Sequence, residues 1–163
     1  MCSGKTTEGR RISEKFKMQF IDLDEFIERE QKISIAKIFE QQGEESFRLI
    51  EKNSLQKVSA LSDAIIATGG GAPCFHSNMQ FINANGISIY LKASVDSLVN
   101  RLKIYNSDRP LVKGKTDSEL LEFVSNTINK REEFYSQASY IIDAEKIPNG
   151  ELEEIVAKHL KRA

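Results

Sequence analysis

The chain begins with residue types that bind phosphate, in the segment Gly4-Lys5-Thr6-Thr7. Its first three residues match the end of the phosphate-binding loop Gly-x-x-x-x-Gly-Lys-[Ser/Thr], whose first glycine would fall two places before Met1. In such a loop, backbone N–H groups and a helix N-terminus converge on phosphate oxygens. The lysine reaches the outer phosphates and the following hydroxyl holds Mg²⁺. Because the triplet alone also occurs in surface loops, the other motifs must decide whether it binds phosphate.

Two aspartates, Asp22 and Asp24, follow apolar residues that are predicted as a strand over 18–21. Because they are two residues apart, their side chains would share a face if the strand continued through both. A plain structural explanation stays open at this point. Asp24 can be the N-cap of a helix predicted over 25–30, with Asp22 as an exposed acid.

An ion pair is predicted between Arg48 and Glu51, which lie three residues apart on one helix face. Glu51 would then orient the guanidinium, although an ordinary surface ion pair is the alternative.

Three glycines, Gly69-Gly70-Gly71, close the apolar run 64–68. A tight turn needs only one or two glycines, so three favour a strand end where backbone N–H groups approach a bound ligand.

Helices and strands alternate along the chain and must position these residues. Apolar periodicity, caps and breakers predict helices over 4–17, 25–30, 34–43, 44–60, 78–85, 94–102 and 116–135, and one after Pro148-Asn149-Gly150. Short apolar runs predict four strands over 18–21, 64–68, 87–91 and 140–143. This alternation is typical of an α/β domain with a parallel sheet.

Length and composition restrict the class of protein. The 163 residues fit one domain over 1–163, and a net charge of −1 gives no basic field for nucleic acid. No apolar run approaches a membrane span, so no membrane partner is expected. Cys2 and Cys74 form no disulfide framework, which favours a cytoplasmic location by default, and Cys74 is predicted to pack rather than to react.

Taken together, the motifs resemble those of shikimate kinases, small P-loop kinases of aromatic amino-acid biosynthesis. The matching segments cover nearly the whole chain and are 4–7, 20–24, Phe47-Arg48 with Glu51, 68–71, Arg109-Pro110-Leu111, and Arg131 four residues before Tyr135. The resemblance implies a three-layer α/β sandwich whose parallel five-stranded sheet has the order 2-3-1-4-5, with the first strand missing from this sequence.

The resemblance also implies a role for each matching residue. The implied ATP-binding residues are Ser3, Gly4, Lys5, Thr6, Thr7, Arg101, Arg109 and Asn149, and the implied Mg²⁺ residues are Thr6 and Asp22. The implied shikimate-binding residues are Asp24, Arg48, Gly69, Gly70, Gly71 and Arg131. Lys5, Asp24 and Arg109 are the implied catalytic residues, with Asp24 as base toward the attacking hydroxyl and Arg109 on a mobile lid over about 105–116.

The chain departs from the family pattern at its beginning. Cys2 stands where the family usually has a glycine, and the central strand and the first loop glycine would lie upstream of Met1. We expect about ten further residues there, the length that a strand and the start of a loop require. They should include an apolar run and a glycine two positions before Met1.

The resulting interpretation is an Mg²⁺-dependent kinase that phosphorylates the 3-hydroxyl of shikimate with ATP, acting as a cytoplasmic monomer. Two alternatives stay open at this point. One is another small P-loop kinase such as gluconate kinase, because gluconate is also a polyol acid. The other is a kinase-like domain that binds ligands without catalysis, because its phosphate loop is incomplete.

Overall fold

The structure, a computed structural model, describes residues 2–105 and 114–160. Within these ranges, seven α-helices and four β-strands follow one another in the predicted order, and the two helices predicted over 34–43 and 44–60 form one helix with a kink. The helices are α1 Lys5–Phe16, α2 Leu23–Gln31, α3 Ile35–Ser59, α4 Asn78–Asn85, α5 Val95–Tyr105, α6 Asp117–Tyr135 and α7 Glu151–Leu160. The strands are β1 Gln19–Asp22, β2 Ala64–Ala67, β3 Ile89–Lys92 and β4 Tyr140–Asp143, and a single 3₁₀ turn covers Ala72–Cys74.

The strands form two parallel pairs. β1 pairs with β2 in the register Gln19 to Ala64, and β3 pairs with β4 in the register Ile89 to Tyr140. A cavity of about 660 Å³ is lined by residues of both β2 and β3. In the expected order 2-3-1-4-5, β1 to β4 are strands 2 to 5, so the two observed pairs are the expected neighbours 2-3 and 4-5. The described residues contain no sheet that joins the two pairs. The α/β class is therefore confirmed, whereas the five-strand order stays a prediction.

Three apolar clusters hold the helices and strands together. The first joins β1, α2 and α3, and includes Ile21, Leu23, Ile27, Ile38 and Val58. The second joins α1, β3, β4 and α7, and the third joins α5 to α6. Each cluster buries the apolar stripe that the helix periodicity predicts, and this burial fixes the ends of β1 and β2 on which the candidate site is built.

The cap of α2 differs from the prediction. Asp22, not Asp24, is the N-cap, and its Oδ1 accepts the backbone N–H of Asp24 at 3.0 Å. The helix therefore begins at Leu23, directly after β1, and Asp24 lies in its first turn. The expectation that Asp22 and Asp24 share one face of a strand is wrong, because the apolar Leu23 and Ile27 bury themselves only if the helix starts early.

The other predicted helix signals are confirmed. Ser34 caps α3 by accepting the N–H of Lys37, and Thr116 and Glu119 form a reciprocal capping box at α6. Gly43 interrupts α3 with φ 78° and ψ 175°, so two helical segments meet at a kink there. None of the helices within 2–105 and 114–160 combines the length and apolar content needed to cross a bilayer.

Candidate active site

The phosphate-loop residues lie at the N-terminus of α1. Gly4 is the N-cap with φ 96°, a left-handed conformation that glycine adopts without penalty. The first intrahelical bond runs from the N–H of Glu8 to the carbonyl of Gly4, so the three preceding N–H groups have no intrahelical acceptor. These donors, of Lys5, Thr6 and Thr7, are the groups that can bind an anion.

Cys2 also adopts a left-handed backbone, with φ 45°. This conformation disfavours side chains with a Cβ, which is a physical reason for a glycine at this position in the loop. Ser3 and Lys5 line the 660 Å³ cavity, and so do Thr68, Gly69 and Gly70 from the end of β2. The loop and the glycine segment therefore face a common space.

Thr6 and Asp22, the residues that the resemblance implies for Mg²⁺, contact each other. The Thr6 hydroxyl donates to Oδ2 of Asp22 at 3.1 Å, and Oδ1 of the same carboxylate caps α2. A hydroxyl and a carboxylate are hard oxygen ligands, and Mg²⁺ typically takes one or two of these together with substrate phosphates. The described residues contain no cluster of three or more His, Cys, Asp or Glu side chains that would hold a metal alone. The hydroxyl and the carboxylate of this pair fit Mg²⁺ in their ligand chemistry.

Arg48 is the centre of the second part of the site. It is 9% exposed, and its Nη1 donates to Oε2 of Glu51 at 2.8 Å, as the spacing predicted. Its Nε and Nη2 donate to Oε1 of Glu44 at 3.2 and 3.0 Å. Sequence reasoning missed Glu44, although the four-residue spacing to Arg48 is a recognised helical pairing. The ring of Phe75, also missed, lies 4.1 Å from the guanidinium carbon.

The glycine segment makes room for these charged side chains. A Cβ at Gly69 would lie 2.7 Å from Oδ1 of Asp24, and a Cβ at Gly71 would lie 2.5 Å from Nη1 of Arg48. The hydroxyl of Tyr135 donates to the carbonyl of Gly70. Glycine is therefore needed at Gly69 and Gly71 because the backbone passes close to the side chains of Asp24 and Arg48. Sequence reasoning did not anticipate this explanation for the glycines.

Arg48 and Arg131 line one cavity, although they come from different helices. Its volume is about 400 Å³, and α3 contributes Arg48 and Glu44 while α6 contributes Thr127, Lys130, Arg131 and Phe134. Cys74 and Phe75 complete the lining. Two arginines from two helices give this cavity the donors that bind a carboxylate with a defined orientation.

Burial shifts the acid–base groups around this cavity. Burial raises the pKa of the Glu51 carboxyl, although its hydrogen bond from Arg48 acts in the opposite direction. Burial also raises the pKa of Tyr135 and of the Cys74 thiol. A thiol with a raised pKa stays protonated at neutral pH and is a poor nucleophile, in agreement with the packing role predicted for Cys74.

The remaining predicted ATP-binding residues differ in the contacts that they make. The Arg101 guanidinium donates to the carbonyls of Cys2 and Ala144, both at 3.3 Å, and so ties the phosphate loop to the segment after β4. Thr7 and Asn149 are exposed, and neither side chain hydrogen-bonds another described residue. Arg109, with most of the predicted lid, lies outside the described residues.

Comparison with known proteins gives one consistent result. The family model for shikimate kinase matches residues 1–163. The chain is 45% identical over 147 residues to a shikimate kinase of Parabacteroides distasonis, covering 90% of this chain and 85% of that protein. It is 39% identical over 162 residues to that of Bacteroides fragilis, covering 99% and 90%.

Solved structures agree. A shikimate kinase from Bacteroides thetaiotaomicron superposes with a TM-score of 0.86 at 42% identity, covering 88% of this chain and 82% of that one. A shikimate kinase from Acinetobacter baumannii, solved in complex with shikimate, gives a TM-score of 0.81 at 30% identity, covering 96% and 88%.

Proposed function

The chain belongs to the shikimate kinase family, and from that premise we propose that it transfers the γ-phosphoryl group of ATP to the 3-hydroxyl of shikimate. The observation that carries the proposal is the convergence of Arg48 and Arg131 on one cavity. Their guanidinium groups bind the shikimate carboxylate, while Asp24, packed against Gly69 beside Glu51, accepts a hydrogen bond from the ring hydroxyl that is phosphorylated.

Nucleotide binding is assigned to the N-terminus of α1. The free N–H groups of its first turn and the Lys5 ammonium hold the outer phosphates of ATP. Ser3 lines the 660 Å³ cavity together with Lys5. Thr6 and Asp22 hold Mg²⁺, which when bound offsets negative charge on the phosphoryl oxygens. Arg101 and Asn149 contribute to the nucleotide site, and Arg109 closes over it from the lid at about 105–116.

Catalysis in this proposal is mainly positioning and charge stabilisation, as for other phosphoryl transfers. Asp24 accepts the proton of the attacking hydroxyl, Lys5 stabilises the transferred phosphoryl group, and Arg109 excludes water that would hydrolyse ATP. Every assigned residue comes from the single domain 1–163, so we propose that a monomer is active. The cytoplasm, where ATP is available, is the proposed location.

Two other functions are not favoured. A gluconate kinase would also need arginines for an acid, but the relatives and structural neighbours given above are shikimate kinases. A non-catalytic domain would not need Lys5, Thr6, Asp22 and Asp24 together.

The test of the proposed function is ADP release from ATP and Mg²⁺ with shikimate or gluconate as acceptor. Release that depends on shikimate supports the proposal, and release only with gluconate, or none, refutes it.

A further inference from the structure

The guanidinium of Arg48 has few positions left for a ligand. Its Nη1 is taken by Glu51, whose side chain is 2% exposed. The backbone of Gly71 lies so close to Nη1 and Nη2 that a Cβ there would be 2.5 and 2.8 Å away. The ring of Phe75 covers one face. The edge formed by Nε and Nη2 is therefore the one that can accept a further carboxylate side-on.

That edge is occupied by a side chain of the same protein. Oε1 of Glu44 accepts both N–H groups, at 3.2 Å from Nε and 3.0 Å from Nη2. Glu44 also lines the cavity that contains Arg48 and Arg131. Glu44 and Glu51 offset the positive charge of Arg48, so its side-on edge attracts a ligand carboxylate less strongly than an unpaired guanidinium would.

Glu44 differs from Glu51 in how easily it can leave. Its side chain is 58% exposed, so it regains water when it releases Arg48, whereas Glu51 is enclosed. Gly43, at φ 78° and ψ 175°, breaks the helix directly before Glu44, so Glu44 starts a helical segment. An exposed carboxylate at such a start has little packing to lose when it rotates away.

We propose that Glu44 is an internal competitor of the substrate, a positioning residue that holds the binding edge of Arg48 until the shikimate carboxylate displaces it. The inference rests on the proposed function and adds an affinity-determining residue to that site. Because the ligand binds only the fraction of molecules in which the edge is free, the apparent affinity is lowered by that fraction. Exposed ion pairs are weak, so the expected factor is about two- to fivefold.

The test compares the parent with Glu44→Gln and with Glu45→Gln. Glutamine keeps the size of the side chain and removes the charge. The neighbouring exposed Glu45, which makes no hydrogen bond or ion pair with Arg48, provides the same change in net charge as a control. Shikimate binding is measured by calorimetry, and KM for shikimate and for ATP by ADP release.

We expect Glu44→Gln to lower Kd and KM for shikimate about two- to fivefold, with KM for ATP unchanged. Glu45→Gln should match the parent. Weaker shikimate binding in Glu44→Gln would mean that Glu44 orients Arg48, and unchanged binding would mean that it does not compete; either result overturns the inference. A parent without shikimate-dependent ADP release would instead refute the proposed function, on which the inference depends.

Discussion

Arg131 is the side chain whose removal should separate acceptor binding from nucleotide binding. Arg131→Ala should weaken shikimate binding about ten- to a hundredfold, because loss of a charged hydrogen-bonding partner costs about 1.5–3 kcal/mol. ATP binding should stay near the parent value, measured by calorimetry with each ligand. Arg131→Lys, which keeps the charge without the planar fork, should lie between the two. An equal loss of ATP binding would show that the assignment to the acceptor site is wrong.

Asp24 and Asp22 should differ in the step that they affect. Asp24→Asn should retain both ligands but lose most turnover, because an amide cannot take the hydroxyl proton. Asp22→Asn, the comparison variant, should chiefly raise the Mg²⁺ concentration needed for half-maximal rate, since Asp22 accepts from the Thr6 hydroxyl. Steady-state rates across a Mg²⁺ titration measure both effects. Near-normal turnover of Asp24→Asn would mean that another group accepts the proton.

Gly71 offers a test of the packing around Arg48. Gly71→Ala places a Cβ 2.5 Å from Nη1 of Arg48, so the guanidinium must move and the shikimate KM should rise at least about tenfold. Gly86→Ala is the matched control, because a Cβ there meets nothing within 4 Å and its backbone is extended. The two variants are compared by shikimate KM and by thermal unfolding. A Gly71→Ala enzyme with parental KM would contradict the placement of Arg48.

At the level of single residues, spacing predicted one ion pair along α3, but the pairing of Glu44 on the same helix and the contacts between elements were missed. Arg48 and Glu51 were found because three residues separate them on α3. The close approach of Gly69 to Asp24 was not predictable, since it depends on how β2 ends beside α2. The cap was assigned to Asp24 instead of Asp22 because either aspartate can act as an N-cap. The burial of Leu23 places the start of α2 at Leu23 and makes Asp22 the cap.

Among the helices, α1 and α7 are joined by charges that should make stability depend on pH. Nη1 of Arg11 lies 2.6 Å from Oε1 of Glu153, and this hydrogen bond lowers the pKa of Glu153 from 4.5 to about 2. Since the folded pKa lies below the unfolded value, the stabilisation is present above about pH 4.5 and is lost as pH falls towards 2.

Glu153→Gln should therefore lower the free energy of unfolding by about 0.5–1 kcal/mol at pH 7, a value discounted for the partial exposure of Arg11. The difference from the parent should shrink as pH falls below 4.5 and vanish near pH 2. Urea unfolding at a series of pH values measures it, with the exposed neighbour in Glu154→Gln as control. A difference that is the same at pH 3 and pH 7 would exclude this linkage.

The existence of every described helix and strand was predictable, because each has its own period or cap. The capping box at Thr116 located the start of α6, and Gly43 located the kink in α3. Boundaries shifted by one to three residues, as at β3, which begins at Ile89 where the apolar run begins at 87. Apolar runs mark burial, whereas a strand begins where a neighbouring strand supplies hydrogen bonds.

For the whole molecule, the alternation of elements predicted an α/β class but could not fix how the strands pair. Pairing depends on contacts between segments far apart in sequence, such as Phe20 with Ile65 and Tyr90 with Ile141. The apolar cavity between residues of β2 and β3 was likewise not visible in the local pattern. The meeting of Arg48 with Arg131 was expected only through the family resemblance, because α3 ends at Ser59 and α6 begins far along the chain at Asp117.

We propose that this chain is a kinase whose acceptor is the hydroxyl of shikimate that Asp24 binds, beside the cavity lined by Arg48 and Arg131. ³¹P NMR of the mixture after incubation of the protein with ATP, Mg²⁺ and shikimate tests this proposal. We expect one new phosphomonoester signal, coupled to the proton on ring carbon 3 and equal in amount to the ADP formed. A signal of inorganic phosphate alone, or a phosphate on another hydroxyl, would contradict it.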